Sequence, residues 1–257
     1  MLSHSIDLNC DMGEGMGSDA AVFPFISSAN IACGGHAGND DTMRRTVELA
    51  MQQGVAVGAH PSYPDSANFG RIDILGAGVS LEELPDIISG QLHRLQVVCR
   101  EFGVRLRHVK PHGALYNRAA RDAAVSGVIG RVILDFDPSL LLYGLSGSEM
   151  QRQADEVGLR FISEVFADRT YRPDGSLTPR TEPHALIEDP TQTVRQVLKM
   201  VKEGRVDVYT RDGVSAGEVE LAAETVCLHG DGDHAAEFAE MIRAGLLREG
   251  IEIRAPF

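Results

Sequence analysis

The feature that most constrains the fold is an alternation of short apolar runs with longer amphipathic segments along nearly the whole chain. Runs of strand length recur at residues 6–8, 55–60, 140–144 and 161–165, with helical patterns between them. Strands that alternate with helices of this length favour an α/β fold with a parallel sheet. We count about seven such units, which predicts a distorted (β/α) barrel, and a doubly wound open sheet is the competing architecture. The 257 residues suit one barrel, so we expect a single domain over 1–257.

Local signals refine this reading. A helix over residues 41–53 has Asp40 or Asp41 as its natural N-cap, and another helix is predicted over 119–136. Residues 206–220 have the pattern of a hairpin. Residues 167–190 lack periodicity, and loops of that length are usually functional lids or disordered.

Composition narrows the function classes. The formal net charge of -13 opposes nucleic acid and anionic membranes, so we expect neither as a partner. The four cysteines form no CxxC pair, and we expect buried free thiols. The first residues have neither the basic region nor the long apolar run of a signal peptide, and no segment is apolar enough to span a bilayer. We therefore expect a cytoplasmic protein.

Polar side chains recur where the predicted strands end. These positions carry Asp11, Asn30, His36, His60, Lys110, His112, Glu164, Asp168, His229 and Asp231. In parallel barrels the carboxyl ends of the strands form one mouth, where such enzymes keep their chemistry. The sequence therefore predicts a shared polar pocket at this mouth.

Three of these residues have the chemistry of a metal site. Asp11, His36 and His60 offer one carboxylate and two imidazoles, a donor set that suits a divalent ion. The alternative is a hydrogen-bonded polar cluster without an ion. Because these three residues are far apart in the sequence, their spacing does not distinguish a metal site from a polar cluster without an ion.

Lys110 and His112 flank Pro111 at the end of a predicted strand. On an extended exit both side chains can face one cavity, where the lysine would stabilise a developing oxyanion and the histidine would move a proton. We expect Asp11, Lys110 and His112 to be catalytic. The alternative for Lys110 is a structural pairing with Asp11 or Glu14.

Long motifs resemble the LamB/YcsF family. They are Ile-Asp-Leu-Asn-Cys-Asp-Met-Gly-Glu at 6–14, Ser-Ala-Asn-Ile-Ala-Cys-Gly-Gly-His-Ala-Gly at 28–38, Val-Gly-Ala-His-Pro-Ser-Tyr-Pro-Asp at 57–65, Phe-Gly-Arg at 69–71, His-Val-Lys-Pro-His-Gly-Ala-Leu-Tyr at 108–116, Glu-Val-Phe-Ala-Asp-Arg at 164–169, Tyr-Arg-Pro-Asp-Gly at 171–175 and Cys-Leu-His-Gly-Asp at 227–231. Together they cover nearly the whole chain.

The resemblance implies a distorted seven-stranded barrel related to glycoside hydrolases and polysaccharide deacetylases. It also implies ATP-dependent opening of 5-oxo-L-proline to L-glutamate, with ATP as co-substrate and with 5-oxoprolinase subunits B and C as partners. We expect this small-molecule substrate to contact Asn9, Glu14, Asn30, Arg71, Asp168, Arg169, His229 and Asp231. A homo-oligomer is a further expectation.

Two positions depart from the family pattern. Asn39 stands where the family usually has Asp, so a carboxylate role there would fall to Asp40. Ile72 stands where a second Arg usually follows Arg71, which weakens a paired-arginine anion site.

Two rival functions stay open at this point. The chain is either a stand-alone metal-dependent amide hydrolase or deacetylase, or a non-catalytic subunit that holds a ligand in the same pocket. The sequence has no Walker-type loop, so it does not say which component of the complex holds ATP.

Overall fold

Parallel strands form the centre of the molecule. The computed structural model describes residues 5–15, 17–228 and 235–257. Its strands, in chain order, are β1 Ser5–Met12, β2 Ser28–Ala32, β3 Ala56–His60, β4 Leu106–Val109, β5 Leu141–Leu145, β6 Phe161–Phe166, β7 Arg205–Tyr209, β8 Ser215–Glu220, β9 Thr225–Leu228 and β10 Glu252–Ile253.

Seven of these strands close into a ring in the order β1-β2-β3-β4-β5-β6-β9. The ring closes because β1 pairs with β9 in parallel, with Leu8 opposite Val226. This closure confirms the predicted barrel and excludes a doubly wound open sheet. The short β10 pairs with the start of β1, and β7 pairs with β8 in a separate antiparallel hairpin, as the pattern over 206–220 predicted.

Helices connect the strands and cover the barrel. They are α1 Asp19–Val22, α2 Asp40–Gln53, α3 Leu84–Glu101, α4 Gly113–Ala119, α5 Ala123–Phe136, α6 Glu149–Val157, α7 Pro190–Glu203 and α8 Ala235–Arg248. Within the described residues, none of these helices combines the length and the apolarity that a bilayer crossing needs.

The start of α2 differs from the prediction. Asn39, rather than Asp40 or Asp41, is the N-cap, and its side-chain oxygen accepts hydrogen bonds from the backbone N–H groups of Asp41 and Thr42. Asp40 instead pairs with Arg94 at 2.8 Å. Because an aspartate would accept the same two bonds, the departure from the family pattern at Asn39 leaves the cap intact.

The helix predicted over 119–136 begins later, at Ala123. α4 ends at Ala119, and α5 begins after Asp122, whose carboxylate accepts hydrogen bonds from the N–H groups of Ala124 and Val125. This cap fixes the start of α5, so the predicted start at Ala119 falls on the last residue of the preceding helix. The structure thereby corrects the prediction.

Polar side chains from several strands lie inside the barrel. In β1 the side chains of Ile6 and Leu8 join the apolar core, whereas Asp7, Asn9 and Asp11 alternate with them and point to the opposite face. Asp7 accepts hydrogen bonds from hydroxyl groups of β2 and β9. Polar groups at this depth are stable because they are bonded to one another.

A glycine in β3 makes room for this interior. A β-carbon on Gly58 would lie 2.0 Å from His108 Nε2, so a larger residue would displace the imidazole. His108 Nε2 lies 2.7 Å from Asn30 Oδ1 and thus belongs to the same polar interior. The four cysteines are all buried and free, as composition predicted.

The aperiodic segment over 167–190 is structured. Arg169 forms a bridge with Leu186, and Tyr171 forms bridges with Leu177 and with Val208 of the hairpin. Gln196 of α7 donates hydrogen bonds to the backbone carbonyls of Phe166, Ala167 and Arg169. These contacts fix the segment to the side of the barrel.

Candidate active site

The predicted strand ends do meet at one mouth. Asp11 lies near the end of β1, His60 ends β3, and Lys110 follows β4 directly. The Lys110 N–H donates to the carbonyl of Ala59 at 2.9 Å, which continues the pairing of β3 and β4 beyond the strand. Three side chains that are far apart in the sequence therefore point into one space.

Lys110 occupies the centre of an ionic network. Its Nζ lies 3.0 Å from Asp11 Oδ1, 2.9 Å from Glu164 Oε1 and 3.0 Å from Cys227 Sγ. The lysine is only 2% exposed. Burial alone would lower its pKa, but Asp11, Cys227 and Glu164 raise that pKa well above the ordinary value. Lys110 is therefore a charged lysine held by two carboxylates.

Two buried asparagines complete this network. Asn30 Nδ2 donates to Asn9 Oδ1 at 2.7 Å and to Asp11 Oδ1 at 2.8 Å. Asn9 Nδ2 in turn donates to Glu164 Oε1 at 3.0 Å and to Thr225 Oγ1 at 2.8 Å. Both side-chain amides thus orient the carboxylates of the site, and their N–H groups donate hydrogen bonds inside the barrel.

A group of three histidines and one glutamate lies beside Asp11. One ligand atom from each of Glu14, His36, His60 and His112 falls within 4.8 Å of the others. The rings of His36 and His112 stack with their centroids 3.6 Å apart. His36 Nε2 lies 2.9 Å from Glu14 Oε1, and His60 Nε2 lies 3.3 Å from Asp11 Oδ2. This donor set is one that a metal ion can occupy.

Burial keeps two of these imidazoles neutral. Desolvation lowers the pKa of His36 to about 3, with His60 acting in the same direction. Desolvation, together with His60 and His36, lowers the pKa of His112 to about 2. Burial alone would raise the pKa of Asp11, but His60 and Lys110 hold it well below the ordinary value. The site thus combines neutral imidazoles with an ionised carboxylate.

A tight loop after β3 covers the histidines. Phe69 has a positive φ of 55°, and its carbonyl accepts a hydrogen bond from His112 Nε2 at 3.0 Å. A β-carbon on Gly70 would lie 2.9 Å from the β-carbon of His36 and 3.0 Å from His112 Cδ2. Arg71 is exposed, and its guanidinium carbon lies 5.0 Å from the centroid of the Phe69 ring. Ile72, at the family's second arginine position, is 49% exposed.

The other sequence candidates lie at different places. Arg169 is buried and donates to the carbonyls of Ala185 and Thr178, and Asp168 beside it is half-buried. His229 and Asp231 lie outside the described residues. The structure therefore gathers Asn9, Asp11, Glu14, Asn30, His36, His60, Lys110 and His112 at one mouth, with Arg71 at its edge.

Two residues of the network were not assigned roles from the sequence. Glu164 and Cys227 both contact Lys110 Nζ. Glu164 lies in β6 rather than after it, and a single acidic residue in an apolar run was a signal of a buried charge pair. Cys227 carried no such signal, since a cysteine in a buried strand is ordinary.

A cavity of about 580 Å³ opens at the opposite end of the strands, lined in part by Val55, Arg107 and Phe257. No aspartate, glutamate or histidine side chain lines it within the described part of the chain. The groups that could move protons or hold an ion lie instead at the carboxyl mouth.

Comparison with known proteins agrees with this geometry. The sequence profile of the LamB/YcsF family matches residues 6–257. The chain belongs to the LamB/YcsF family. The A subunit of 5-oxoprolinase from Tolumonas auensis is 51% identical over 255 residues, which cover 97% of this chain and 98% of that protein.

Solved structures extend the comparison within and beyond the family. The crystal structure of a lactam utilization protein from Thermus thermophilus has a TM-score of 0.89 at 39% identity and covers 98% of this chain and 99% of its own. The peptidoglycan deacetylase PdaC from Bacillus subtilis has a TM-score of 0.50 at 13% identity, covering 98% of this chain and 88% of its own. The second likeness concerns the fold alone.

Proposed function

We propose that this chain is the A subunit of an ATP-dependent 5-oxoprolinase, which opens 5-oxo-L-proline to L-glutamate. The observation that carries the proposal is full-length similarity, at 46% to 51% identity, to proteins named as the A subunit of 5-oxoprolinase. The ionised and imidazole groups gathered at one mouth supply the chemistry that such a reaction needs.

The reaction has a simple chemical requirement. A five-membered lactam is a weak electrophile near neutral pH, and phosphorylation of its carbonyl oxygen by ATP makes the ring carbon open to attack by water. ADP leaves when its phosphoryl group is transferred. Water then forms a C–O bond, and the ring C–N bond breaks as the nitrogen takes a proton, which leaves an acyl phosphate. A second water hydrolyses this acyl phosphate to glutamate and phosphate. A base for water, a positive charge near the oxyanion and a proton donor are therefore needed.

Asp11, Lys110 and His112 are the catalytic groups of the proposal. Asp11 is ionised at the mouth and suits a base that takes a proton from water. Lys110 places a positive charge 3.0 Å from that carboxylate and thereby supports negative charge that develops on the substrate. His112 carries a neutral imidazole at the same place.

The substrate carries a carboxylate, and Arg71 is the cation that we assign to it. The Arg71 side chain is exposed at the edge of the mouth, and its charge acts on the imidazole of His36. A guanidinium suits a carboxylate because its donors form a planar fork. The remaining contacts proposed from the sequence are Asn9, Glu14, Asn30, Asp168, Arg169, His229 and Asp231.

The proposal has further components. ATP is the co-substrate, subunits B and C are the partners, the protein works in the cytoplasm, and a divalent ion is part of the site.

The second candidate function is a stand-alone metal-dependent amide hydrolase or deacetylase. The group formed by Glu14, His36, His60 and His112 favours it, because a bound ion can activate water without ATP. A non-catalytic ligand-binding role is the third reading, and it predicts that substitutions in the mouth leave turnover intact.

A reconstitution assay separates these readings. Glutamate and ADP are measured with 5-oxoproline and ATP for the chain alone and for the chain with its partner subunits. The proposal predicts no turnover by the chain alone and coupled release of ADP and glutamate with partners. Turnover by the chain alone that needs a divalent ion and no ATP would favour the second function.

A further inference from the structure

We infer that Glu14, His36, His60 and His112 bind one divalent transition-metal ion of the Zn²⁺ type. This replaces Asp11 of the sequence expectation by Glu14 and adds His112, whose imidazole would then hold the ion rather than move a proton. The inference deepens the proposed function. Only the role of the ion in the reaction rests on that function, because ion binding is measurable without turnover.

The hydrogen bonds of His60 and His112 carry the argument. His60 Nδ1 lies 2.7 Å from the carbonyl oxygen of Lys110, and His112 Nε2 lies 3.0 Å from the carbonyl oxygen of Phe69. Carbonyl oxygens only accept, so both of these ring nitrogens are protonated donors. The remaining nitrogens, His60 Nε2 and His112 Nδ1, are then the ones that can ligate an ion.

These two nitrogens face each other. His60 Nε2 and His112 Nδ1 are 2.9 Å apart. Glu14 Oε1, another acceptor, lies 3.4 Å from His112 Nδ1 and 3.9 Å from His60 Nε2. One donor atom from each of the four residues therefore converges on one place, where a cation can bind them all.

The spacing of the donor atoms suits a small ion. Bonds of 2.0–2.1 Å to a tetrahedral zinc place neighbouring ligand atoms roughly 3.3 Å apart. The separations from Glu14 Oε1 run from 2.9 Å for His36 to 3.9 Å for His60, and all four donor atoms lie within 4.8 Å of one another. The donors can thus ligate one ion once the most distant of them move closer together.

The contacts behind the ligands are also those of a metal centre. Ligating histidines usually donate their second N–H to a carbonyl or carboxylate, which fixes the ring and its tautomer. The carbonyls of Lys110 and Phe69 do this for His60 and His112. The buried Nδ1 of His36 has no hydrogen-bond partner among the described residues, so this supporting contact is present for two of the three histidines.

Asp11 lies beside this group and serves another purpose. Its Oδ1 already accepts hydrogen bonds from Asn30 Nδ2 and Lys110 Nζ. Its Oδ2 lies 3.3 Å from His60 Nε2, at the border between the Lys110 network and the histidines. A base at this border can act on a water or substrate that the ion holds, which leaves Asp11 free of ligation.

The donor set also selects the kind of ion. Imidazole nitrogens suit Zn²⁺ and similar transition metals, whereas Mg²⁺ prefers oxygen ligands and water. Three nitrogens and one carboxylate therefore discriminate against the Mg²⁺ that accompanies ATP. The ion inferred here is separate from a nucleotide-bound Mg²⁺.

Calorimetry with the full-length, metal-stripped chain tests the inference. Zn²⁺ should bind with a stoichiometry of one, in the presence of excess Mg²⁺, and raise the melting temperature. Glu14→Gln and His60→Gln should each weaken Zn²⁺ binding at least tenfold, in line with a lost ligand. His93→Gln, which changes an exposed histidine of α3, should bind as the wild type does.

Circular dichroism and metal-free melting curves show that each variant is folded. Glu14 is a half-buried loop residue, so Glu14→Gln is the variant that retains the fold if His60→Gln does not. The inference is overturned if folded wild-type chain binds no Zn²⁺, which would mean that a shared proton fills the gap between the imidazoles. Equal Zn²⁺ affinity of the wild type and Glu14→Gln would also overturn it.

Discussion

His60 Nε2 and His112 Nδ1 lie 2.9 Å apart, while each ring places its other nitrogen against a backbone carbonyl. The carbonyl behind His60 belongs to Lys110, and the carbonyl behind His112 belongs to Phe69. The orientation of both imidazoles therefore depends on the loop after β3 and on the exit of β4. Substitutions in these two segments should change the site without removing a donor atom.

Gly70→Ala tests the loop. The new β-carbon would lie 2.9 Å from the β-carbon of His36 and 3.0 Å from His112 Cδ2, so we expect Zn²⁺ affinity to fall with the displaced rings. Gly76→Ala is the matched control, because Gly76 also has positive φ but no atom lies within 4 Å of the new β-carbon. Calorimetry compares the two. Equal losses in both variants would attribute the effect to backbone strain and contradict the account.

Lys110→Met tests the charge network. The substitution leaves Asp11 and Glu164 as buried carboxylates without their cation, and loss of one partner of a buried pair costs about 3–5 kcal/mol. Urea denaturation should show this loss, and Lys110→Met with Glu164→Gln should recover part of it. Unchanged unfolding free energy in Lys110→Met would contradict a structural network around Lys110.

Lys110→Met also tests the proposal that Lys110 is catalytic. Turnover per folded complex should fall by about a hundredfold or more, as lost oxyanion support typically does. If turnover tracks only the folded fraction, Lys110 is structural alone.

Arg71→Gln tests substrate recognition. We expect the KM for 5-oxoproline to rise about tenfold or more, because a charge-assisted hydrogen bond to the substrate carboxylate is lost. Inhibition by 2-pyrrolidinone, the same ring without the carboxylate, should not change. Arg211→Gln, at an exposed arginine of the hairpin, is the control. If both ring compounds lose affinity equally, Arg71 does not read the carboxylate.

Asp7→Asn tests how the buried carboxyl group of Asp7 makes the stability of the protein depend on pH. Burial raises the pKa of Asp7 above its ordinary value, although hydrogen bonds from Ser27, Thr225 and Ser28 act the other way. The pKa of Asp7 is therefore higher in the folded state than in the unfolded state. Its contribution to stability is fully present below the unfolded pKa of about 3.9 and is lost as the pH rises through the folded pKa.

The melting temperature of Asp7→Asn relative to wild type should therefore increase as the pH is raised from about 4 towards 7. Asp212→Asn, at an exposed turn, should follow the wild type. A difference that shrinks over the same range would show the opposite sign and contradict the argument.

The barrel was predictable because its strands and helices are local patterns. The hairpin at β7 and β8 and the mouth that gathers Asp11, His60 and Lys110 follow from the same patterns. The cap at Asn39 was missed because three polar residues in succession can each cap a helix. Only the backbone conformation distinguishes them.

The partners within the site were not predictable in the same way. Glu14 joins three histidines, whereas Asp11 contacts Lys110. Both arrangements depend on the geometry of the loops after β1 and β3. The polar interior was also missed, because the apolar half of β1 indicates a buried strand without showing which face is inside. Positions 229–234 lie outside the described residues, so the roles proposed for His229 and Asp231 stay predictions.

The measurement that tests the central claim most directly is turnover of the assembled complex built with Asp11→Asn. Glutamate and ADP release from 5-oxoproline and ATP are measured beside the wild-type complex, with assembly checked by gel filtration. Loss of the carboxylate base should lower turnover by about a hundredfold or more while the complex stays intact. Near-normal turnover in an intact Asp11→Asn complex would show that the mouth of this barrel is not the reaction centre.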